Sequence, residues 1–272
     1  MPDPALLASM AALLLAIGAF AGVLAGLLGV GGGIVLVPAF FYAFTVLGYA
    51  GDQLMQMCLA TSLATIIVTS VRSVLAHNKK GAVDWAILRG WAPGIALGAL
   101  VGVTVAARLR SEMLQAIFAG LALIVALYML FGRKGWQIAP EMPTGILRWI
   151  LSPLVGLLSD LMGIGGGSFG VPLMSLHGVA IHRAVATAAG FGVVIAIPSV
   201  AGFLLVPIEI APPLTIGAVN LVAFALVIAM TLITAPIGAR LAHAMDPGPL
   251  KRVFGAFLIL VALNMLRKVI GW

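Results

Sequence analysis

Two related stretches, GLLGVGGGIVLVP (residues 26–38) and SDLMGIGGGSFGVP (residues 159–172), interrupt an otherwise apolar chain. The first stretch has five glycines within residues 26–33, and both stretches end near a proline. Glycine adopts backbone conformations that other residues avoid, and proline has no backbone N–H to donate. Each stretch therefore predicts a break in a helix, followed by a second and shorter helix.

The composition predicts that the rest of the chain lies in a lipid bilayer. Of the 272 residues, 62% are hydrophobic and 8% are charged, whereas a soluble domain has about 25% charged residues. Apolar runs of about 20 residues, the length that a helix needs to cross a bilayer, recur along the chain. We therefore expect an all-α, multi-pass integral membrane protein.

The apolar runs and the two glycine breaks predict about eight transmembrane helices, with a re-entrant or discontinuous helix at each break. Each break is followed by an arm that is shorter than a membrane-spanning helix. The predicted helices cover about residues 5–28, 34–46, 54–76, 85–107, 113–131, 146–162, 168–176, 184–205, 213–242 and 249–270.

The two halves of the chain resemble each other. GVGGGIVLVP (29–38) matches GIGGGSFGVP (163–172), GAVDW (81–85) matches GAVNL (217–221), and both matches keep the same order. We predict a first transmembrane repeat in residues 1–134, a linker in 135–145 and a second repeat in 146–272. Internal repeats are typical of secondary transporters, and equivalent loops of unlike charge favour an inverted repeat with a cytoplasmic linker.

The glycine breaks predict a site for a small anion. Inside a membrane, a non-helical backbone needs protein or water around it. The first N–H groups of a helix have no intrahelical partner, and the positive end of the helix dipole attracts anions. The alternative is that the glycines only allow close helix packing. We predict that both breaks meet near the midplane on one anion, which the following glycines contact: Gly31, Gly32, Gly33, Gly165, Gly166 and Gly167.

Hydroxyl groups near the breaks extend the predicted substrate site. Thr61 and Ser62 lie within an apolar run, and Thr187 is the repeat partner of Thr61. Ser168 begins the short arm after the second break, where its hydroxyl group could donate to an anion or cap the helix. The alternative for the hydroxyl groups inside helices is a hydrogen bond to the preceding turn of their own helix.

Two charged residues complete the predicted site. Arg183 begins a helix after the second break, where it could attract the anion or remain a solvated loop arginine. Asp160 lies beside the second break, and an acidic residue within a membrane segment indicates a function. We predict that Asp160 is a candidate for binding a coupling proton, with a basic neighbour in a wet vestibule as the alternative.

No motif in the sequence supports a cofactor, a metal site or enzyme chemistry. Cys58 is the single cysteine, and no spacing of His, Cys and carboxylate residues predicts a metal ion. The net charge of +7 is explained by positive cytoplasmic loops rather than by nucleic acid as a partner. We expect a small anion and the lipid bilayer as partners, and the oligomeric state stays open.

The doubled glycine motif, ATSLA (60–64) and KGAVDW (80–85) resemble the sulfite exporter family TauE/SafE, also described as the 4-toluene sulfonate uptake permease family. The resemblance covers essentially the whole chain. It implies a secondary transporter in the bacterial inner membrane for small sulfur-containing anions such as sulfite, sulfonates or sulfoacetate. Thr61 and Ser62 match the TS pair of the family, whereas Thr187 is followed by Ala188. A passive anion channel and a non-transporting membrane scaffold remain alternatives.

Overall fold

The fold is built almost entirely from helices. The computed structural model describes residues 4–28, 32–132, 136–244 and 247–270. Within these residues, ten helices and one two-stranded hairpin follow each other along the chain. They are α1 (Pro4–Leu28), α2 (Gly33–Val46), α3 (Leu54–Asn78), α4 (Trp85–Ala106), α5 (Ser111–Phe131), α6 (Gly145–Leu161), α7 (Gly167–Leu176), α8 (Ile181–Phe203), β1 (Thr215–Ile216), β2 (Val219–Asn220), α9 (Leu221–Ala244) and α10 (Pro247–Ile270).

Six of the described helices are long and apolar enough to cross a membrane. The helices α2 and α7 are apolar but have only 14 and 10 residues, or about 21 and 15 Å of length against the roughly 30 Å of a bilayer core. The expectation of an all-α, multi-pass membrane protein is therefore confirmed. The six candidate spans are Ala8–Gly26, Leu54–Asn78, Trp85–Ala106, Ser111–Phe131, Ile181–Phe203 and Leu221–Gly238.

The chain leaves the helical path where the glycine runs predict it, between α1 and α2 and between α6 and α7. Gly32 precedes α2 with a φ of 75°, and Gly163 forms the turn after α6 with a φ of 61°. These are left-handed conformations that glycine adopts without steric cost. Gly31 lies outside the described residues.

The sequence prediction was wrong at the start of α9. A continuous helix over residues 213–242 was expected, but β1 and β2 form an antiparallel hairpin immediately before α9. Leu214 and Gly217 have φ values of 60° and 55°, which a right-handed helix does not accommodate. Apolar residues of this loop, such as Leu214 and Ile216, concealed the hairpin, because they extend the apolar run of the helix that follows.

The helices of the two halves pack in equivalent pairs. α1 packs on α9, and α6, its counterpart in the second half, packs on α4. α3 packs on its counterpart α8, and α5 packs on its counterpart α10. The candidate membrane span of α3 is 78% buried, whereas the candidate span of α1 is 28% buried. α3 therefore lies in the centre of the molecule, and α1 at its periphery.

Glycines allow α4 and α6 to approach each other closely. α4 has glycines at positions 90, 94, 98 and 102, each of which faces α6. A Cβ atom at Gly98 would lie 2.6 Å from the carbonyl carbon of Pro153 and 2.7 Å from its Cα atom. Small residues at four-residue spacing are typical of helix interfaces in membranes, where close packing replaces the hydrophobic effect.

One end of the bundle, which we name the linker face, carries the loops before α4, α6 and α8. The N–H of Ile138 in the linker donates to the carbonyl oxygen of Leu176 at 2.7 Å. Arg183 at the start of α8 forms an ion pair of 2.8 Å with Asp84 at the start of α4. The linker and the beginnings of α4 and α8 therefore lie at the same end.

The other end, which we name the opposite face, carries the loops before α3, α5 and α9. The N–H of Ser111 donates to the carbonyl oxygen of Asp52 at 2.9 Å. The N–H of Glu209 donates to the side-chain oxygen of Gln53 at 3.0 Å. α3 thus begins at the opposite face and ends at the linker face, whereas α8 runs from the linker face to the opposite face.

Candidate functional site

The two glycine breaks lie against each other in the interior. A Cβ atom at Gly33 would lie 2.7 Å from the carbonyl oxygen of Gly163 and 3.0 Å from the Cα atom of Ile164. Side chains at position 33 would therefore hold the breaks apart, and glycine lets the two backbones touch. The structure brings the beginning of α2 together with the turn that precedes α7.

Ser62 connects α3 to the second break. Its buried hydroxyl group donates to the carbonyl oxygen of Gly163 at 2.7 Å. A Cβ atom at Gly163 would lie 2.9 Å from the Cα atom of Leu59, so α3 also packs directly on this turn. Because the proton of Ser62 is already donated, this hydroxyl group can bind an anion only if it gives up its bond to Gly163.

The three glycines Gly165, Gly166 and Gly167 are buried at the start of α7. A Cβ atom at Gly166 would lie 3.0 Å from the carbonyl oxygen of Ala188 and 3.1 Å from the amide nitrogen of Gly192, both on α8. Close packing on α8 therefore accounts for Gly166. A larger residue there disturbs the contact between α7 and α8 whatever its effect on a ligand.

Two buried hydroxyl groups beside the second break have no hydrogen-bond partner among the described residues. They belong to Ser168 in the first turn of α7, which is 4% exposed, and to Ser159 near the end of α6, which is fully buried. Most buried polar groups in proteins are paired, so such an orphan requires an explanation. The first N–H groups of α7 also lack intrahelical acceptors. Hydrogen-bond donors therefore accumulate at this helix start.

Thr61 and Thr187 make equivalent hydrogen bonds in the two halves. The hydroxyl oxygen of Thr61 accepts from the N–H of Asn220 at 3.0 Å, and that of Thr187 accepts from the N–H of Asp84 at 2.9 Å. The side chains of Asp84 and Asn220 accept in turn from backbone N–H groups in the first turns of α4 and α9. The two threonines therefore anchor the loops that begin these helices.

Arg183 lies at the linker face. Its side chain is 57% exposed, and its guanidinium group pairs with Asp84 at 2.8 Å. The same carboxylate caps α4. The structure therefore places this arginine in a solvent-accessible ion pair.

Asp160 is fully buried near the end of α6. A Cβ atom at Gly102 on α4 would lie 2.7 Å from its Oδ2 atom, and Ser199 on α8 lies beside the carboxyl group. The Ser199 hydroxyl group donates to the carbonyl oxygen of Ile195 at 2.8 Å. Neither oxygen of the carboxyl group has a hydrogen-bond partner within the described part of the chain. Among the described residues, no basic side chain pairs with this buried acid.

Two open pockets lie at the opposite face. One has a volume of about 400 Å³, and a neighbouring pocket has a volume of about 260 Å³. They share Gly51 and Asp52, and none of the described glycines of the breaks lines either of them. Across the described residues, no group of three or more His, Cys, Asp or Glu side chains could hold a metal ion.

Interrupted helices that meet inside a bundle of membrane-spanning helices are typical of membrane transporters, where substrates bind at such interruptions. The family model described as "Sulfite exporter TauE/SafE" matches residues 14–265. The chain therefore belongs to the TauE/SafE family of membrane transporters, and it is a multi-pass integral membrane protein.

Similar proteins carry names that agree with this membership. The chain is 34% identical over 258 residues to a "Probable membrane transporter protein" of Haemophilus influenzae, covering 94% of this chain and 98% of the relative. It is 30% identical over 183 residues to the "Probable membrane transporter protein YunE" of Bacillus subtilis, covering 60% and 67%. No solved structure matches the chain. The family model and the names of these relatives describe membrane transporters and not enzymes.

Proposed function

We propose that this chain is a secondary transporter of small sulfur-containing anions, such as sulfite, sulfonates or sulfoacetate. The substrate binds inside the membrane where the two glycine breaks meet. Membership of the TauE/SafE family supports both transport and the class of substrate. The bacterial relatives support a location in the bacterial inner membrane.

The proposed architecture has eight crossing helices in two inverted repeats, residues 1–134 and 146–272, joined by residues 135–145. The eight are the six candidate spans together with α6 and α10. Two observations support inversion. The equivalent helices α3 and α8 begin at opposite faces, and the bond from Asn220 to Thr61 has its counterpart in the bond from Asp84 to Thr187. The exposed Lys79 and Lys80 at the linker face support a cytoplasmic linker.

The observation that carries the proposed site is the contact between Gly33 and Gly163. In the adjoining first turn of α7, the Ser168 hydroxyl group has no hydrogen-bond partner among the described residues. A sulfonate or sulfite group presents several oxygen acceptors. The N–H groups and the helix dipole at the start of α7 suit such acceptors. The Ser168 hydroxyl group adds one more donor at the same place.

Packing explains part of this arrangement but not all of it. The contacts of Gly163 and Gly166 with α3 and α8 fit a non-transporting scaffold as well as a transporter. A buried serine without a partner, however, contributes nothing to packing that alanine would not contribute. Unlike Ser175, Ser168 also lies beside the first N–H groups of α7, so it favours a ligand at the break over a purely structural role for the glycines.

The first test measures the thermal stability of the purified full chain in detergent with methanesulfonate, sulfite, sulfate, acetate or phosphate. A ligand at 100 times its dissociation constant adds about 2.7 kcal/mol to the free energy of unfolding. We expect stabilisation by methanesulfonate or sulfite. Because a hydrogen bond to a charged group contributes about 1.5–3 kcal/mol, Ser168→Ala should weaken binding by about tenfold or more.

Ser175→Ala provides the matched control. Ser175 lies at the other end of α7, and its hydroxyl group is also buried without a partner among the described residues. This variant should bind the anion like the wild type, whereas equal binding by Ser168→Ala would contradict a site at the start of α7. In proteoliposomes, accumulation of the anion against its gradient supports a transporter, and mere equilibration indicates a channel. A chain that neither binds nor moves any of these anions is a scaffold.

A further inference from the structure

The side chain of Asp160 lies in the interface between α4 and α6 rather than in the contact between the two breaks. On α6, Arg148, Ser152, Gly156 and Asp160 recur every four residues. They lie along the glycine stripe of α4, where Gly90 faces Arg148, Gly94 faces Ser152 and Gly102 faces Asp160. The stripe gives these polar side chains room between two closely packed helices. Only the last of them has a carboxyl group.

The carboxyl group lies close to the opposite face. Gly102 precedes the end of α4 at Ala106 by four residues, and Ser199 precedes the end of α8 at Phe203 by four residues. Four residues of helix extend about 6 Å. Because α4 and α8 both end at the opposite face, Asp160 is about one helical turn inside that face.

No charged side chain of the described residues contacts this carboxyl group. Gly102 on α4 and Ser199 on α8 face it, and neither of them titrates. On α6 itself, Arg148 is three helical turns away. The other titratable residues on helices that pack on α6 make no contact with the carboxyl group; they are Cys58, Arg72 and His77 on α3, Arg89 on α4, Glu112 and Tyr128 on α5, and His182 and Arg183 on α8.

We propose that Asp160 binds a coupling proton that enters from the opposite face, and that the proton and the substrate anion cross the membrane together. The second part rests on the proposed function. A proton suits this place better than a metal cation, because the Oδ2 atom lies only 2.7 Å from where a Cβ of Gly102 would be. A bound cation needs several oxygen ligands around it, and the glycine surface of α4 offers none.

The protonation state of Asp160 acts on the glycine break through the backbone. The carbonyl oxygen of Asp160 accepts from the N–H of Gly163 at 2.8 Å, and that of Ser159 accepts from the N–H of Ile164 at 3.0 Å. An ionised carboxyl group without a partner is costly in the membrane interior, so it draws the last turn of α6 towards water at the opposite face. Gly163 then moves with this turn, away from Gly33.

The charge of Asp160 also determines whether proton binding strengthens or weakens anion binding. An ionised carboxylate near the break repels an anion in a medium of low dielectric constant, and a protonated carboxyl group does not. Proton binding and anion binding therefore favour each other, which is the thermodynamic requirement for symport. The repeat partner of Asp160 is Gly26, so only one of the two repeats has a carboxyl group at this position. One proton is therefore coupled.

The first experiment requires no substrate, because the chain contains its own reporter. Cys58 is fully buried on α3, next to Leu59, which packs on Gly163. We would measure the rate at which a maleimide labels Cys58 in the purified wild type and in Asp160→Asn over a range of pH. At each pH, the wild-type rate is divided by the rate of the variant. This ratio cancels the effect of thiol ionisation on labelling, which both proteins share. The wild-type rate relative to the variant should rise severalfold with pH, in a step for one proton.

Two further variants make the result specific. Asp52→Asn is the matched control, because this carboxylate at the opposite face is 83% exposed. Labelling of Cys58 in this variant should depend on pH as it does in the wild type. Gly102→Ala brings a methyl group against Oδ2 of Asp160 and should shift the pH midpoint of the step. If another group governed the labelling step, Gly102→Ala would leave that midpoint unchanged. Identical labelling of the wild type and Asp160→Asn at every pH overturns the proton site.

The second experiment measures methanesulfonate binding over the same range of pH, because the charge of this anion stays constant. Wild-type affinity should fall by about tenfold between low and high pH, whereas Asp160→Asn should keep the low-pH affinity throughout. A labelling step without any anion binding would support the proton site and contradict the proposed function. Sodium ions that abolish the labelling step at constant pH would overturn the assignment to a proton.

Discussion

Replacement of Gly33 by alanine tests the contact between the two breaks. Gly33 begins α2 and is not among the described glycines with positive φ, so alanine suits its backbone. The new Cβ atom would lie 2.7 Å from the carbonyl oxygen of Gly163 and 2.9 Å from the Cδ1 atom of Ile66. Real Cβ atoms stay at least 3.0 Å from such neighbours. The breaks must therefore move apart by a few tenths of an ångström.

The magnitude follows from comparison with a second glycine. Forcing a methyl group into a packed interior costs about 1–3 kcal/mol, whereas replacing a helical glycine by alanine gains about 0.5–1 kcal/mol. Gly120 on α5 is helical and exposed, and a Cβ atom there meets nothing within 4 Å. Gly120→Ala should therefore show only the gain in unfolding free energy that alanine brings to a helix. The difference between the two variants isolates the steric cost at Gly33, about 1–3 kcal/mol.

The assay is unfolding of both variants in the same detergent, by heat and by titration with a denaturing detergent, with and without methanesulfonate. We expect Gly33→Ala to be less stable than Gly120→Ala by this difference, and to lose much of the stabilisation by the anion. Two variants that are equally stabilised relative to the wild type would refute the close contact between the breaks. Unchanged anion binding by Gly33→Ala would refute its relevance to the site.

Other variants test the loops that begin α4 and α9. Thr61→Val leaves the buried N–H of Asn220 without its acceptor and should cost about 1–3 kcal/mol in unfolding free energy; a cost near zero would contradict the anchoring role. Thr187→Val should cost a similar amount, since it removes the acceptor for Asp84 at the other face. Arg183→Gln should cost less than about 1 kcal/mol, because exposed ion pairs contribute little. Asp84→Ala should cost about 1 kcal/mol through the lost helix cap, and an Arg183→Gln variant that is more damaging than Asp84→Ala would reverse this order.

The positions of the two breaks could be predicted because the two halves of the sequence resemble each other. The repeated glycine runs indicate two breaks, and the equivalence of Thr61 and Thr187 anticipates the equivalent bonds that these residues make. The same repeat also indicates the start of α9, because GAVNL aligns with GAVDW, in which the helix begins at the last residue. Apolar composition predicted a longer helix there, and hydropathy alone does not distinguish an apolar hairpin from a helix.

The sequence by itself determined that this protein lies in a lipid bilayer and where its helices break. Composition, helix length and the conformational range of glycine are local properties. Only the tertiary structure decided which groups meet. Ser62 donates to Gly163 about 100 residues away along the chain, Gly33 touches the same turn, and Asp160 is enclosed by Gly102 and Ser199. Such contacts depend on how the helices of the two halves pack against each other, and no spacing within one segment contains that information.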